Sequence, residues 1–570
     1  MAYTPPVGIP NPKDSFSTFG DIDQATPAWP ASWFTTPTTA TTDKYYIDKT
    51  HPSATNTGNQ YGYPDKPRAT PPEGALNAGA FVYIHAGTYL NTESAGDRWD
   101  WHGTGTAADP IWITGNPTTK PILRDFTHLG SAGSISYMVF ENIEISGLTT
   151  TRLLIQPGID GNTIDHVLVR NCILTGTGNS GDSNGINISL SSSTDNIPNS
   201  TVTYVVVYNN VVTNFGDKTS SDDCGIYVGY HTDYIWVLDN LIHDVAADGV
   251  AGSHYADDDT KLATHVFIGR NTTYANGENG IDIKAVRYLV ISENTIYGPF
   301  SREQGWGIVL HSGASPAHPV RDAYVLNNTI YNVSGGIYCT ASVGTQDITI
   351  MGNLIYGVDA DFSAQVDALN GRCIVIRADF AGTAYIANNT FDSYDAGVYI
   401  TNIGIGDAAY VSGNIFSNRN IEANYDIEVP TNGEEARIDT DYNHFYHATY
   451  APTFFWANAA RTLSYMQGTA SEEIHSTTGD PKFVTAGANF NLQSSSPCIG
   501  KGTISPAYDL FATMFGVSCT YDKAGRSRPQ EATWDQGACE YVSGGSASVS
   551  KKKSITKYIN LGILGVKQWQ

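Results

Sequence analysis

Eight asparagines recur through the middle of this chain, each placed shortly after a strand-like run in which apolar side chains alternate. Val205 and Val207 precede Asn210, Ile235 and Val237 precede Asn240, Val266 and Ile268 precede Asn271, Leu289 and Ile291 precede Asn294, and Ala323 and Val325 precede Asn328; Asn353, Asn389 and Asn414 continue the series. The intervals are 30, 31, 23, 34, 25, 36 and 25 residues, a spacing that fits one repeat with loops of varying length. Alternation within each strand puts every second side chain inside, and an Asn at the following bend can bond to the Asn of the next repeat. Such a ladder satisfies polar groups that would otherwise be stranded in a narrow core.

A second strand family opens on glycine: Gly185 before Ile186, Asn187 and Ile188; Gly225 before Ile226, Tyr227 and Val228; then Gly249, Gly280, Gly307, Gly336 and Gly397 in the same role. One strand of each kind per repeat, with a shorter third, predicts an all-β, right-handed parallel β-helix. A propeller would need hairpin turns, and a leucine-rich repeat would need a helical segment in each repeat. About a dozen coils stacked at roughly 4.8 Å make a rod on the order of 60 Å long. The predicted division is an N-terminal cap over residues 1–75, the β-helix over 76–416, a β-rich C-terminal cap over 417–543, and a linker with an apolar tail over 544–570.

Charge narrows the partners. A formal net charge of -24 argues against a nucleic acid or an anionic membrane, since phosphate binding needs a basic surface. The one short basic run is the three lysines at 551–553. Seven cysteines are too few for a disulfide framework and lack zinc spacing, although Cys498, Cys519 and Cys539 leave room for one bridge. Residues 1–12 show neither the basic nor the apolar part of a signal peptide, and the apolar run at 559–566 is too short to span a bilayer. The expected setting is extracellular or virion-associated, without membrane insertion. The tail is expected to be disordered, or to dock the chain into a homo-oligomer or a larger assembly.

Over residues 80–416 the chain resembles the pectate-lyase-like superfamily of right-handed β-helices. Gly103 and Thr104, followed by Pro110, Ile111, Trp112 and Ile113, resemble the segment that starts such helices, chondroitinase-B-type lyases included. Asp480, Pro481, Phe483, Leu492, Ser496, Pro497, Arg528, Pro529 and the run from Gly537 to Tyr541 resemble a segment that closes many bacterial β-helix proteins. The resemblance implies a polysaccharide substrate or glycan receptor, with a Lys or Arg on the helix face.

Aligning the glycine-led strands stacks residues of equal offset along the outer wall. Four after each glycine the column reads Ser189, Gly229, Ser253, Lys284, His311 and Thr340, with Arg377 joining when Cys373 takes the glycine position. Two positions earlier it reads Asn187, Tyr227, Ala251, Asp282, Val309, Tyr338, Val375 and Tyr399. A basic cluster flanked by tyrosines suits β-elimination on a uronate polymer, which needs a base, a cation for the enolate and an acid for the leaving oxygen. Lys284 is the expected base, its pKa lowered by His311 and Arg377; Arg377 or His311 is expected to neutralise the carboxylate, and a Tyr or His to serve as the acid. Tyr227, His254, Asp282, Tyr338 and Tyr399 are the expected substrate contacts, and Asp257, Asp258 and Asp259 could offer oxygen ligands to Ca²⁺. Lone basic residues on such a wall are ordinarily just solvated, and one slip of register would reverse every facing.

Two other classes fit the same sequence. Asp223, Asp248 and Glu278 each precede a glycine-led strand by one or two residues, and carboxylates one or two coils apart fall within the roughly 5 to 10 Å used in glycoside hydrolysis, as in tailspike depolymerases of bacteriophages. A non-catalytic fibre, filament subunit or adhesin that binds glycans on a Tyr- and Asn-rich wall is the third.

Overall fold

The computed structural model describes residues 3–13, 22–27 and 41–543, except 73, 90–97, 125, 148–151, 181–182, 191–198, 253–261, 299, 301–304, 313–318, 341–346, 363–367, 378–381 and 405. Three long sheets run the length of the molecule, one of 15 strands and two of 14, and each successive coil adds one strand to each. The pairings along all three are parallel until a final hairpin, Thr453–Trp456 with Ala459–Thr462. This is the right-handed parallel β-helix expected from the repeats, the hand being the one that parallel crossover connections adopt.

The inner faces of the three sheets make one continuous core of Ile, Val and Leu running from Ile47 to Met466. At one corner the asparagine ladder is complete. Asn210, Asn240, Asn271, Asn294, Asn328, Asn353, Asn389 and Asn414 are almost wholly buried. Each side-chain amide donates to the next side-chain oxygen at 2.9–3.0 Å. That same oxygen also accepts a backbone N–H, as when Asn271 N donates to Asn294 Oδ1 at 2.9 Å.

The coils extend beyond both predicted boundaries. Lys44–Ile47 pairs in register with Phe81–Ile84, so a segment expected to be part of a cap is itself a strand of the first sheet. Tyr3, Ile9 and Ile22 do not cover the first coil; they pack along the outer face of that sheet, in a cluster with Tyr208, Trp236 and Leu238. The buried Arg170–Glu141 pair, 2.7 Å apart, secures this strap. Arg170 donates to the carbonyls of Ile22 and Gln24, and Thr26 donates to Glu141. At the other end the coils run past residue 416, with Ile415–Arg419 pairing with His444–Tyr446 and that strand with Thr477–Thr478. Residues 417–478 therefore belong to the solenoid, and the remainder folds back on it. The helix Ala507–Phe515 packs on the first sheet through Phe511 and Phe515 against Tyr324. Cys498, Cys519 and Cys539 form no bridge; all seven cysteines are free and buried.

The ladder closes on an acid. Asn443 donates to both oxygens of Glu473 at 3.1 Å, and Ser476 donates to the same carboxyl. Glu473 is fully buried, and burial pushes its pKa up to about 8. The unfolded carboxyl titrates near 4.5, so over that window the folded state holds the extra proton. Stability is then greatest below the unfolded pKa and falls as pH rises through the folded one, by up to about 1.4 kcal/mol per pH unit. Chemical denaturation of Glu473→Gln between pH 5 and 8 is expected to show a flatter dependence than the parent protein; an unchanged slope would remove Glu473 as its source.

Two outer columns of rings were not foreseen. Tyr137, His166, Tyr204, Tyr234, His265 and Tyr288 stack at centroid spacings of 4.3–4.9 Å, all at positive φ. Each is a single left-handed residue that interrupts the alternation of its strand, and neighbouring coils carry it in register, as where Asp165 pairs with Thr203 and Val167 with Val205 on either side of His166 and Tyr204. His243, Tyr274, Tyr297, Tyr331 and Tyr356 stack in the same way along the second sheet. Because each ring covers its neighbour's face, these columns stiffen the rod and leave no inner face free for a sugar to stack on.

Candidate functional site

The wall of the third sheet carries the expected columns in the expected register. Asn187 pairs with Tyr227, Tyr227 with Ala251, Ala251 with Asp282, Asp282 with Val309, Val309 with Tyr338, Tyr338 with Val375 and Val375 with Tyr399. In the adjacent column Lys284 pairs with His311 and Thr340 with Arg377. Parallel strands in register turn residues distant in sequence into neighbours about 4.8 Å apart.

Asp282 is the centre of this wall. Its Oδ2 accepts from Lys284 Nζ at 2.8 Å and its Oδ1 lies 2.9 Å from His311 Nε2. The side chains of Asp282, Lys284 and His311 are 8%, 15% and 26% exposed, so the carboxylate is covered and the imidazole is the most open of the three. Burial works against ionisation of Asp282, but His311 and Lys284 outweigh it and hold the carboxyl below its usual range. Burial likewise works against the Lys284 ammonium, and the carboxylates of Asp282 and Asp248 outweigh it, raising its pKa. This corrects the expectation that like charges lower it: the neighbouring carboxylates raise it and favour the ammonium. The signal was in the sequence, since residues i and i+2 of a strand share a face, which puts Asp282 beside Lys284.

Behind this triad lies a group of the opposite character. Asp248 is buried and accepts from Asn279 Nδ2 at 3.0 Å, while Asn279 Oδ1 accepts from Trp306 N at 3.0 Å. Burial first, and then the Asp282 charge, raise the Asp248 carboxyl well above the ordinary value, with Glu278 adding to the rise. Cys224 contacts it at 3.9 Å, its own pKa raised by burial and by Asp248. Two carboxyls on one wall are thus pushed in opposite directions.

The other expected residues fall around this centre. Arg377 is exposed, two coils beyond His311 with Thr340 between them, so it stands apart from the triad. Tyr227 packs against Cys224, Ala247 and Ala251. Tyr338 lies 5.1 Å from Trp306, and Tyr399 is covered on one face by the Arg372 guanidinium at 4.7 Å. His254 and Asp257, Asp258 and Asp259 lie outside the described residues, and among the described residues no cluster of three ligating side chains could hold a metal ion. No helix of the described chain is long and apolar enough to cross a membrane.

No family model and no curated protein matches this chain. Among solved structures it is similar to pectate lyase Pel9A at 12% identity, over 88% of this chain and 96% of that one, with a TM-score of 0.37. It is also similar to PfbA, a surface adhesin of Streptococcus pneumoniae, at 12% identity over 67% and 86%, TM-score 0.41. A third is the catalytic unit of the GH87 alpha-1,3-glucanase of Streptomyces thermodiastaticus, at 14% over 71% and 62%, TM-score 0.39. These are likenesses of fold.

Proposed function

We propose that this β-helix is a carbohydrate-active protein, a polysaccharide lyase that cleaves a uronate-containing polymer by β-elimination on the wall of the third sheet. The observation that carries the reading is the Asp282 carboxylate held between Lys284 and His311. A buried carboxylate that orients an imidazole is an arrangement suited to proton transfer. His311 takes the proton from the carbon next to the sugar carboxylate. The bond to the leaving oxygen breaks as the new double bond forms, and the imidazolium returns the proton to that oxygen. Lys284, kept charged, offers an ammonium to the enolate. Calcium at Asp257, Asp258 and Asp259 stays a proposal from sequence, as do an extracellular or virion setting and docking through the tail.

The opposed carboxyls favour one alternative. Asp248, its carboxyl pKa raised, and Asp282, its carboxyl pKa lowered, would be acid and base of a glycoside hydrolase. Incubation with alginate, pectin and glycosaminoglycans separates the classes, because β-elimination leaves an unsaturated uronate that absorbs in the ultraviolet. Rising absorbance is the expected result. New reducing ends without absorbance, abolished in Asp248→Asn, would replace the lyase by the hydrolase. Glycan binding with neither product would leave a binding protein.

A further inference from the structure

Lys284, Arg372 and Arg377 are basic side chains of the third sheet, and they are not equivalent. Lys284 is paired with Asp282 at 2.8 Å. Arg372 is paired with Glu428 at 2.9 Å and lies over the Tyr399 ring. Arg377 is exposed and, among the described residues, forms no ion pair. It leaves its strand on the same side as Val375, by alternation, and Val375 lies in register between Tyr338 one coil before and Tyr399 one coil after. An uncompensated cation two residues along its strand from a position bracketed by half-buried tyrosines, and itself in register with Thr340, is a setting for an anionic sugar, with the charge read by the guanidinium and the ring edges by the phenols.

We infer that Arg377 reads a carboxylate of the polymer about two sugars from the reacting one and sets specificity for acidic chains. The inference rests on the wall being a glycan-binding surface, as proposed above. Two coils separate Arg377 from His311, roughly 10 Å, and an extended pyranose chain lying along the wall advances by close to one coil per sugar. By backbone spacing, Arg377 therefore stands opposite a sugar about two away from the one at His311. The need for such a residue follows from the charge of the molecule: at -24 the protein repels a polyanion at long range, and Lys284 and Arg372 are already neutralised by their own carboxylates. Tyr338 and Tyr399 then set the width of the subsite, and Arg377 its sign.

The test compares the full chain with Arg377→Gln on polygalacturonate and alginate, each also in carboxyl-reduced form, by affinity electrophoresis and by steady-state kinetics. The variant is expected to bind the acidic polymers roughly tenfold more weakly, the scale of one charge-assisted hydrogen bond, and to raise KM by a similar factor. Its kcat is expected to stay within about twofold, and binding of the reduced polymers to be unchanged. A fall in kcat at unchanged KM would overturn the inference by making Arg377 part of the chemistry. An equal loss on the reduced polymers, or no binding of any acidic polymer by the parent protein, would overturn it as well. Arg377-dependent binding without unsaturated product or new reducing ends would sink the catalytic reading and leave this one standing.

Discussion

Substituting His311 by Gln is expected to lower β-elimination turnover by about 10²- to 10⁴-fold, the contribution of one positioned proton-transfer group, with little change in KM or in thermal stability. Gln can still reach the Asp282 oxygen that now lies 2.9 Å from His311 Nε2, so Asp282 keeps a partner and Lys284 its position, but an amide cannot shuttle a proton. The measurement is the initial rate of ultraviolet absorbance on the polymer the parent protein cleaves, with a thermal melt beside it. Full turnover in His311→Gln would sink the assignment. Lys284→Met should also slow turnover, through loss of the cation near the enolate, but that variant uncovers one oxygen of a buried carboxylate and would disturb the local fold. For this reason His311 is the cleaner probe.

The architecture was legible because it repeats. Strand alternation, the asparagine spacing and the glycine-led strands each state the same coil several times, and a register error in one copy is corrected by the next. Asp282, Lys284 and His311 came together for that reason alone. The roles were less legible. Lys284 was read through its column, where His311 and Arg377 stand, and not along its own strand, where Asp282 two residues earlier reverses the sign of its pKa shift. Asp248 was placed on an edge but its burial was not, since burial depends on what covers the wall. The last coils were missed although Asn443, 29 residues after Asn414, keeps the ladder's letter; only in the coil after it does the letter change, to Ser476, with Glu473 accepting the Asn443 amide. The ring columns escaped because single left-handed residues break the alternation that reveals strands.

The largest stability loss is expected inside the ladder. Asn294 is fully buried, and its Oδ1 accepts both the backbone N–H and the side-chain amide of Asn271, at 2.9 and 3.0 Å. Its own amide donates to Ile268 O at 3.0 Å and to Asn328 Oδ1 at 2.9 Å. Asn294→Leu keeps the number of side-chain heavy atoms but leaves the Asn271 N–H, one Asn271 amide hydrogen and the Ile268 carbonyl without these partners where water cannot reach them. Each stranded buried group costs about 1–3 kcal/mol, and at least three are left, so a loss above about 4 kcal/mol is expected, beyond the range of ordinary substitutions. The same change at Asn210 should cost less. It too accepts a backbone N–H below and donates to the next asparagine above, but the position below it is Cys172, so no side-chain amide is left without an acceptor. Urea denaturation of the two variants tests this, with the midpoint falling further for Asn294→Leu at similar m. If Asn294→Leu lost less than about 1 kcal/mol, the net worth of a typical hydrogen bond, the ladder would be a by-product of coil stacking and the apolar core alone would hold the coils in register.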